Sequence, residues 1–436
     1  MLAAEPSLLW LLAFSLIGVL LGTATGIVPG IHPNNVALIL LSLLPALSHP
    51  LSAFLPAAPV LLASLLIAAS ITHTFLSFIP AAFVGAPEGD TALCVLPAHH
   101  LLLEGRAYEA VKLSATGSFL ALIGSFLFLM PFKFFLSHMH FYEFIRAFMP
   151  YILIGISLLL ILTESFTEIM EPFEAILASS AVFMLSGIFG MLILNFNLRS
   201  PFFNFSTNAL FPALTGLFGL STVLFSLAHT PEIPKQQREE VSLEINAAFK
   251  SAAVGSASGT LVSFLPGVTA AHATVLAMLL RKERSPEHVI LTLSAVNTAN
   301  AIFCLATLFI LMKARSGIAL AIQEIMPIYA WNASIPPTEL CFLLISAIFA
   351  GVIAYFLTIF IGKNFALLLE RIPYKLFLLL TAISLVALTF ILSGMLGILV
   401  LAIATSIGLL PIYAGVKRSN CMGVLLLPVI IFYMRL

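Results

Sequence analysis

The stretch GVLLGTATGIVPGIHPNN, residues 18–35, decides how this chain is read. Up to Val28 it is an apolar run with Gly18 and Gly22 spaced four apart on one helical face. Pro29 and Gly30 then break the helix, and His32, Asn34 and Asn35 follow where hydrocarbon would tolerate none of them. Proline removes a backbone donor and clashes with the turn before it, while glycine accepts conformations a helix cannot. A break of this kind frees N–H and C=O groups that must be buried in protein or face a watery cavity.

The rest of the chain places that break in a membrane. Of the 436 residues 61% are hydrophobic and only 9% charged, against roughly 25% charged in a soluble domain, so the chain cannot cover a water-facing surface. Its apolar runs are long and continuous rather than short and alternating, which selects helices over a β-barrel. They lie at 7–28, 36–47, 56–79, 110–136, 147–163, 174–194 and 208–228, and then at 251–265, 270–280, 288–312, 338–361, 374–392, 394–414 and 421–434. Runs 36–47 and 270–280 are too short to span ~30 Å at 1.5 Å per residue and read as halves of discontinuous helices or re-entrant hairpins. The expected fold is an all-α polytopic membrane protein of about ten to twelve membrane elements in two repeats. Residues 1–228 form the first half, 229–250 a polar linker and 251–436 the second half. The run from Ser7 to Val28 lacks a basic n-region and reads as a retained helix, not a signal peptide. Nineteen basic residues balance nineteen acidic ones, so nothing points to nucleic acid, and four scattered cysteines support no metal, cofactor or disulfide framework. Basic loops at 281–284, 363–375 and 417–418 favour a cytoplasmic placement, but Lys133, Arg146, Lys313 and Arg315 fit no clean alternation.

The break occurs twice. Residues 255–268 read GSASGTLVSFLPGV, and at an offset of 237 Gly18 matches Gly255, Gly22 matches Gly259, Thr23 matches Thr260, Pro29 matches Pro266 and Gly30 matches Gly267. Past the second break come Thr269 and His272. A weaker echo lays residues 71–93 beside 298–320 and puts His73 opposite Asn300. Paired, interrupted apolar segments in two halves point to a transporter's binding site near the bilayer midplane. The freed N–H groups of a half-helix favour an anion there. Gly30 and Gly267 would shape that site, with hydrogen bonds from His32, Asn34, Asn35, Thr269, His272, Asn297 and Asn300, and with Thr72 and His73 lining the same cavity. A second polar stretch, FIPAAFVGAPEGDTALCVLP at 78–97, carries breaks at Gly85 and Pro87 around Glu88 and Asp90. Acidic groups near a membrane core face an interior or a cavity, so one of these two could carry a coupling cation. The bland alternatives are a kink at each break and a solvent-exposed loop at 85–93.

These residues resemble a family. The series from Gly22 through PGI, LLSLLP and FIPAAFVGAPEGDTA to LLLEGRAYEA is similar to the N-terminal signature of the TctA family, the large membrane subunit of tripartite tricarboxylate transporters. SFLPGVTAAHATVLAMLLRKERSPEH and NTAN (297–300) resemble its second-half segments. The resemblance covers most of 15–125 and 250–300. It implies a secondary transporter of two repeats around a central site, with carboxylates as precedent substrates and a small membrane subunit and an extracytoplasmic binding protein as partners. The sequence departs from the pattern in the acidic GAPEGD loop, and in Lys313 and Arg315 where the family has a neutral Gly-Pro-Gly hairpin.

The leading expectation is a permease of the prokaryotic plasma membrane for small organic anions, di- or tricarboxylates, driven by a proton or sodium gradient, with a homodimer left open. The alternative is a translocase for a polyprenyl-phosphate lipid carrier, whose phosphate would suit the same helix ends. His99, His100 and Glu104 lack any nucleophile or metal set beside them, so no catalytic site is expected. The long polar linker on one side and the basic 281–284 loop on the other favour inverted repeats.

Overall fold

The computed structural model describes residues 6–28, 37, 57–84, 94–138, 141–162, 164, 171–194, 196–202, 206–229, 234–236, 244–265, 270, 273–274, 277–278, 285–371 and 373–434. Among them the protein is helical, with one short antiparallel hairpin. Helices α1 (Leu8–Ile27), α2 (Ala58–Leu76), α3 (Phe78–Val84), α4 (Val95–Leu103), α5 (Ala107–His138), α6 (Phe141–Leu162) and α7 (Pro172–Ile193) lead to strands β1 (Asn197–Arg199) and β2 (Ser206–Asn208). After these come α8 (Leu210–Ala228), α9 (Ile245–Ser263), α10 (Pro286–Leu311), α11 (Gly317–Ile325), α12 (Thr338–Arg371), α13 (Tyr374–Ala414) and α14 (Gly423–Met434). Among the described residues eight helices are long and apolar enough to cross a membrane. They expose leucine, isoleucine and phenylalanine outward, as a lipid-facing surface does. This is a multi-pass membrane protein. Helix α9 reaches back to Ile245, into the stretch expected to be linker.

The two Gly-faced segments each close onto the helix that follows. Gly18 of α1 lies against the Leu65 carbonyl and the Ala68 methyl, and Gly22 against the Ala69 carbonyl and Thr72. Gly255 of α9 lies against the Thr292 carbonyl and the Ala295 methyl, and Gly259 against the Val296 carbonyl and Ala299. Every partner in the second pair stands 227 residues after its counterpart in the first, the offset of the weaker sequence echo. Any Cβ at these glycines would meet a backbone oxygen, so the helices touch main chain to main chain. Both pairs run parallel, since Gly18 then Gly22 meet rising positions on α2 and Gly255 then Gly259 do so on α10.

The pairs point in opposite directions. The chain before α10 is tied to the start of α5 and to residues 234–236. Arg106 binds Glu104, Glu109 and Glu287, and the Gln236 side chain accepts from the Ala107 N–H and donates to the Leu102 carbonyl. Residues 104–109, 234–236 and 285–287 therefore share one face, here the linker face, so the chain entering α10 lies on the linker's side and not on the opposite one as the sequence suggested. The far end of α5 carries Lys133, which donates to the carbonyls of Ala333 (2.6 Å) and Asn332 (3.4 Å) and sits over the Trp331 ring. That puts the loop before α12 on the opposite face. Leu11, Phe14, Leu61 and Leu62, at the starts of α1 and α2, pack with Ile325 and Phe342 beside that loop. So α1 and α2 start where α9 and α10 end. Helix α5 packs on α10, and α12 packs on α2, so each half lends its long helix to the other half's buried one.

Helix α13 is too long for one crossing, since 41 residues at about 1.5 Å each exceed a ~30 Å core twofold. It is broken at Gly394, with φ 64° and ψ −161°, at the boundary the sequence places between 392 and 394. The β1–β2 hairpin packs against that turn: the Ser200 hydroxyl donates to the Ile391 carbonyl, and the Arg199 carbonyl lies beside Gly394. Residues 197–202, 206–208 and 394 thus share the face opposite the linker, the hairpin face. The basic residues that fitted no alternation now fall together, because Lys133, Lys313, Arg315 and the start of the helix bearing Arg146 all belong to the hairpin face. One core gathers α2, α5, α10, α11 and α12, and a second gathers α6, α7, α8, the latter part of α13 and α14.

Gly22→Ala and Gly259→Ala are expected each to destabilise the protein by about 1–3 kcal/mol through overpacking, read as a lower melting temperature in detergent. Gly124→Ala, whose Cβ would meet nothing within 4 Å, should leave it unchanged. Gly394→Ala should cost about 1–3 kcal/mol, because its φ/ψ lies in a region essentially reserved for glycine.

Candidate substrate site

Of the residues singled out in the sequence, Thr72, His73, Asn297 and Asn300 lie in the described structure. Pro29, Gly30, His32, Asn34, Asn35, Gly85, Pro87, Glu88, Asp90, Pro266, Gly267, Thr269 and His272 lie outside the described residues. The four that are described belong to α2 and α10, the two most buried long helices.

These helices meet in the interior at Thr74 and Thr298, whose hydroxyl oxygens are 3.3 Å apart. On α2, His73 is buried at 3% exposure, and its Nδ1 is 3.1 Å from the Thr25 hydroxyl of α1. Thr25 stands four residues before Pro29, so His73 is anchored to the last turn before the first break. On α10, the amide oxygen of Asn300 accepts from the Cys304 thiol, which also reaches the Ser263 carbonyl at the end of α9 (3.5 Å each). Ser263 stands three residues before Pro266. His73 thus ties α2 to the end of α1, and Cys304, held within α10 by Asn300, ties α10 to the end of α9; His73 and Asn300 stand opposite each other at the 227 offset. Thr72 packs in the seam against Gly22 and Asn300 lies against Gly259.

Asn297 is different. It is 6% exposed and its Oδ1 has no hydrogen-bond partner. A buried amide left unpaired costs about 1–3 kcal/mol, and the site is polar on every near turn, with Ser294, Thr298 and Asn300 on the same helix. Among the described residues no cluster of His, Cys, Asp or Glu could hold a metal. The sequence reading missed Thr25, Thr74 and Thr298. Thr74 and Thr298 stand in the polar runs ITHT and NTAN, and a run of that kind inside a buried helix is the signal that marks them.

With this geometry in place, the comparisons with known proteins bear directly on it. The model of the tripartite tricarboxylate transporter TctA family matches residues 12–423, nearly the whole chain. The chain belongs to the TctA family. An uncharacterized protein of Methanocaldococcus jannaschii, MJ1079, is 32% identical over 429 residues, covering 97% of this chain and 99% of that one. No solved structure matches. The TctA match takes in both Gly-faced pairs, the α2–α10 crossing and the acidic 85–93 segment, so the resemblance seen in 15–125 and 250–300 extends across both halves. TctA is by its description a transporter family, and the buried polar crossing is read in that setting.

Asn297→Leu removes an amide that has no partner for its oxygen and puts a group of similar size in its place. The melting temperature should hold or rise, while any activity that depends on the α2–α10 crossing is lost. A fall in melting temperature with activity retained would make Asn297 a packing residue.

Proposed function

We propose that this protein is a secondary active permease for small organic anions, di- or tricarboxylates, coupled to a proton or sodium gradient. The observation that carries the reading is the meeting of two oppositely directed helix pairs at Thr74–Thr298, with His73 and Asn297 buried and Asn300 half-buried around it. Inverted repeats crossing at a polar centre are the arrangement in which a carrier can present one site to either side. The glycines matched at an offset of 237, with their contact partners matched throughout at 227, support duplication as the origin of the two pairs. The substrate carboxylates would be held by the freed N–H groups at the breaks after Val28 and Leu265, with Gly30 and Gly267 admitting them. His32, Asn34, Asn35, Thr269, His272, Asn297 and Asn300 would supply side-chain contacts. Glu88 or Asp90 would take the coupling cation. The linker face gathers Arg106, Lys112, Lys235, Arg371, Lys375, Lys417 and Arg418, which favours the cytoplasm for that face. Membership of a tripartite transporter family supports a membrane subunit that works with further components, which by that resemblance would be a small membrane protein and an extracytoplasmic binding protein. Nothing in the comparisons favours the lipid-carrier reading.

Purified protein in liposomes should take up labelled citrate or succinate when a proton or sodium gradient is imposed. Gly267→Leu and Asn297→Leu should abolish that uptake in protein that still elutes as a folded species. Uptake that is unchanged in both variants, or that needs neither gradient, would contradict the proposal. Silence with every soluble anion until a binding protein is added would keep the site and assign delivery to that partner.

A further inference from the structure

A second cationic centre lies on the linker face, away from the α2–α10 crossing. Residues Arg418–Met422 form a 3-10 turn between α13 and α14. Their neighbour Lys417 pairs with Glu164 (3.7 Å), a carboxylate with no exposure that also accepts from the Asn420 amide (3.1 Å) and the Lys417 N–H (3.2 Å). Glu164 is thus engaged with Lys417 and Asn420. Arg418 is half-buried, and its one hydrogen bond goes from Nη1 to the Thr222 hydroxyl, whose own proton goes to the Phe218 carbonyl. No carboxylate pairs with Arg418 among the described residues. A guanidinium carries five N–H donors, and sheltering it without a counter-charge costs several kcal/mol.

The groups around it suit an acceptor of negative charge. Thr222 sits just past a π-helical turn, Thr215–Leu220, inside α8, a distortion often found at functional positions. His99 of α4 is near enough to Arg418 to feel its charge. Burial, and then the charge of Arg418, holds its imidazole below the ordinary value, so it is neutral at neutral pH and can donate an N–H without adding a second full charge. The remaining ionisable neighbour is the buried thiol of Cys421.

We infer that Arg418, Thr222 and His99 form an anion-binding subsite at the linker face, built for the oxygens of a carboxylate or a phosphate. The planar fork of arginine matches both groups in bidentate fashion. Two sources supply that chemistry: the headgroup phosphate of an anionic lipid at the membrane rim, and a soluble carboxylate on its way to or from the interior. The inference does not rest on the transport reading, since a lipid occupant requires no transported anion.

The full-length protein is tested in phosphatidylcholine nanodiscs, with and without added phosphatidylglycerol, and separately with citrate titrated into the buffer. At least one probe should raise the melting temperature of the wild type. Arg418→Gln should bind that probe at least about tenfold more weakly, and Arg418→Lys should recover part of the loss. A shift with phosphatidylglycerol alone assigns the site to lipid, and a shift with citrate alone assigns it to a soluble carboxylate. If Arg418→Gln does not fold, Thr222→Val and His99→Phe keep the guanidinium and should each weaken the responding probe several-fold. The inference is overturned if neither probe shifts the wild type, or if the shift persists in full in the variants that fold.

Discussion

Four glycines let two pairs of membrane helices close to main-chain contact, and the rest of the architecture follows from that contact. With Gly18, Gly22, Gly255 and Gly259 under the carbonyls of Leu65, Ala69, Thr292 and Val296, no side chain separates the helices. In lipid, where helices gain nothing from excluding water, such proximity is the main source of association. It also fixes register. Because α1 is seated on α2 at those positions, Thr25 must fall beside His73. Because α9 is seated on α10 in the same way, Ser263 must fall beside Cys304 and Asn300. The last turn before each break is thereby pinned to a buried helix, which gives an interrupted segment a rigid edge.

The opposite directions of the two pairs explain features that look unrelated along the chain. Helix α5 runs from the linker face to the hairpin face and packs on α10, while α12 runs the other way and packs on α2. Lys133 anchors its far end to the carbonyls of Asn332 and Ala333, and the Arg106 cluster anchors the near end to Glu287. The polar centre at Thr74 and Thr298 is therefore bordered by helices held at both faces. The second core, built on α6–α8 and the end of α13, stands beside this enclosure and carries the Arg418 subsite.

Much of this was legible in the sequence because it is local. A Gly-xxx-Gly face before Pro-Gly, repeated at an offset of 237, marked α1 and α9, and a fainter match at 227 laid α2 beside α10, without showing which helices pair. The division of α13 near residue 393 was legible because an apolar run of that length cannot stay in one bilayer crossing. What stayed hidden depends on partners far apart in the chain. Thr74 and Thr298 are 224 residues apart, and neither run predicts that the two hydroxyls face each other. The unpaired oxygen of Asn297 was equally invisible, since orphaning is a property of the surroundings. Lys133, Lys313 and Arg315 confused the topology because their face is set by which helices pair.

The central claim, that two oppositely directed pairs cross at Thr74 and Thr298, is tested most directly by cross-linking across the two halves. Cysteines at 74 and 298, with Cys94, Cys304, Cys341 and Cys421 replaced and a protease site placed in the 230–243 segment, would be oxidised in membranes and then cleaved. The account predicts that the halves stay joined on a denaturing gel until reductant is added. Halves that separate without reductant, in protein that still folds, would contradict it.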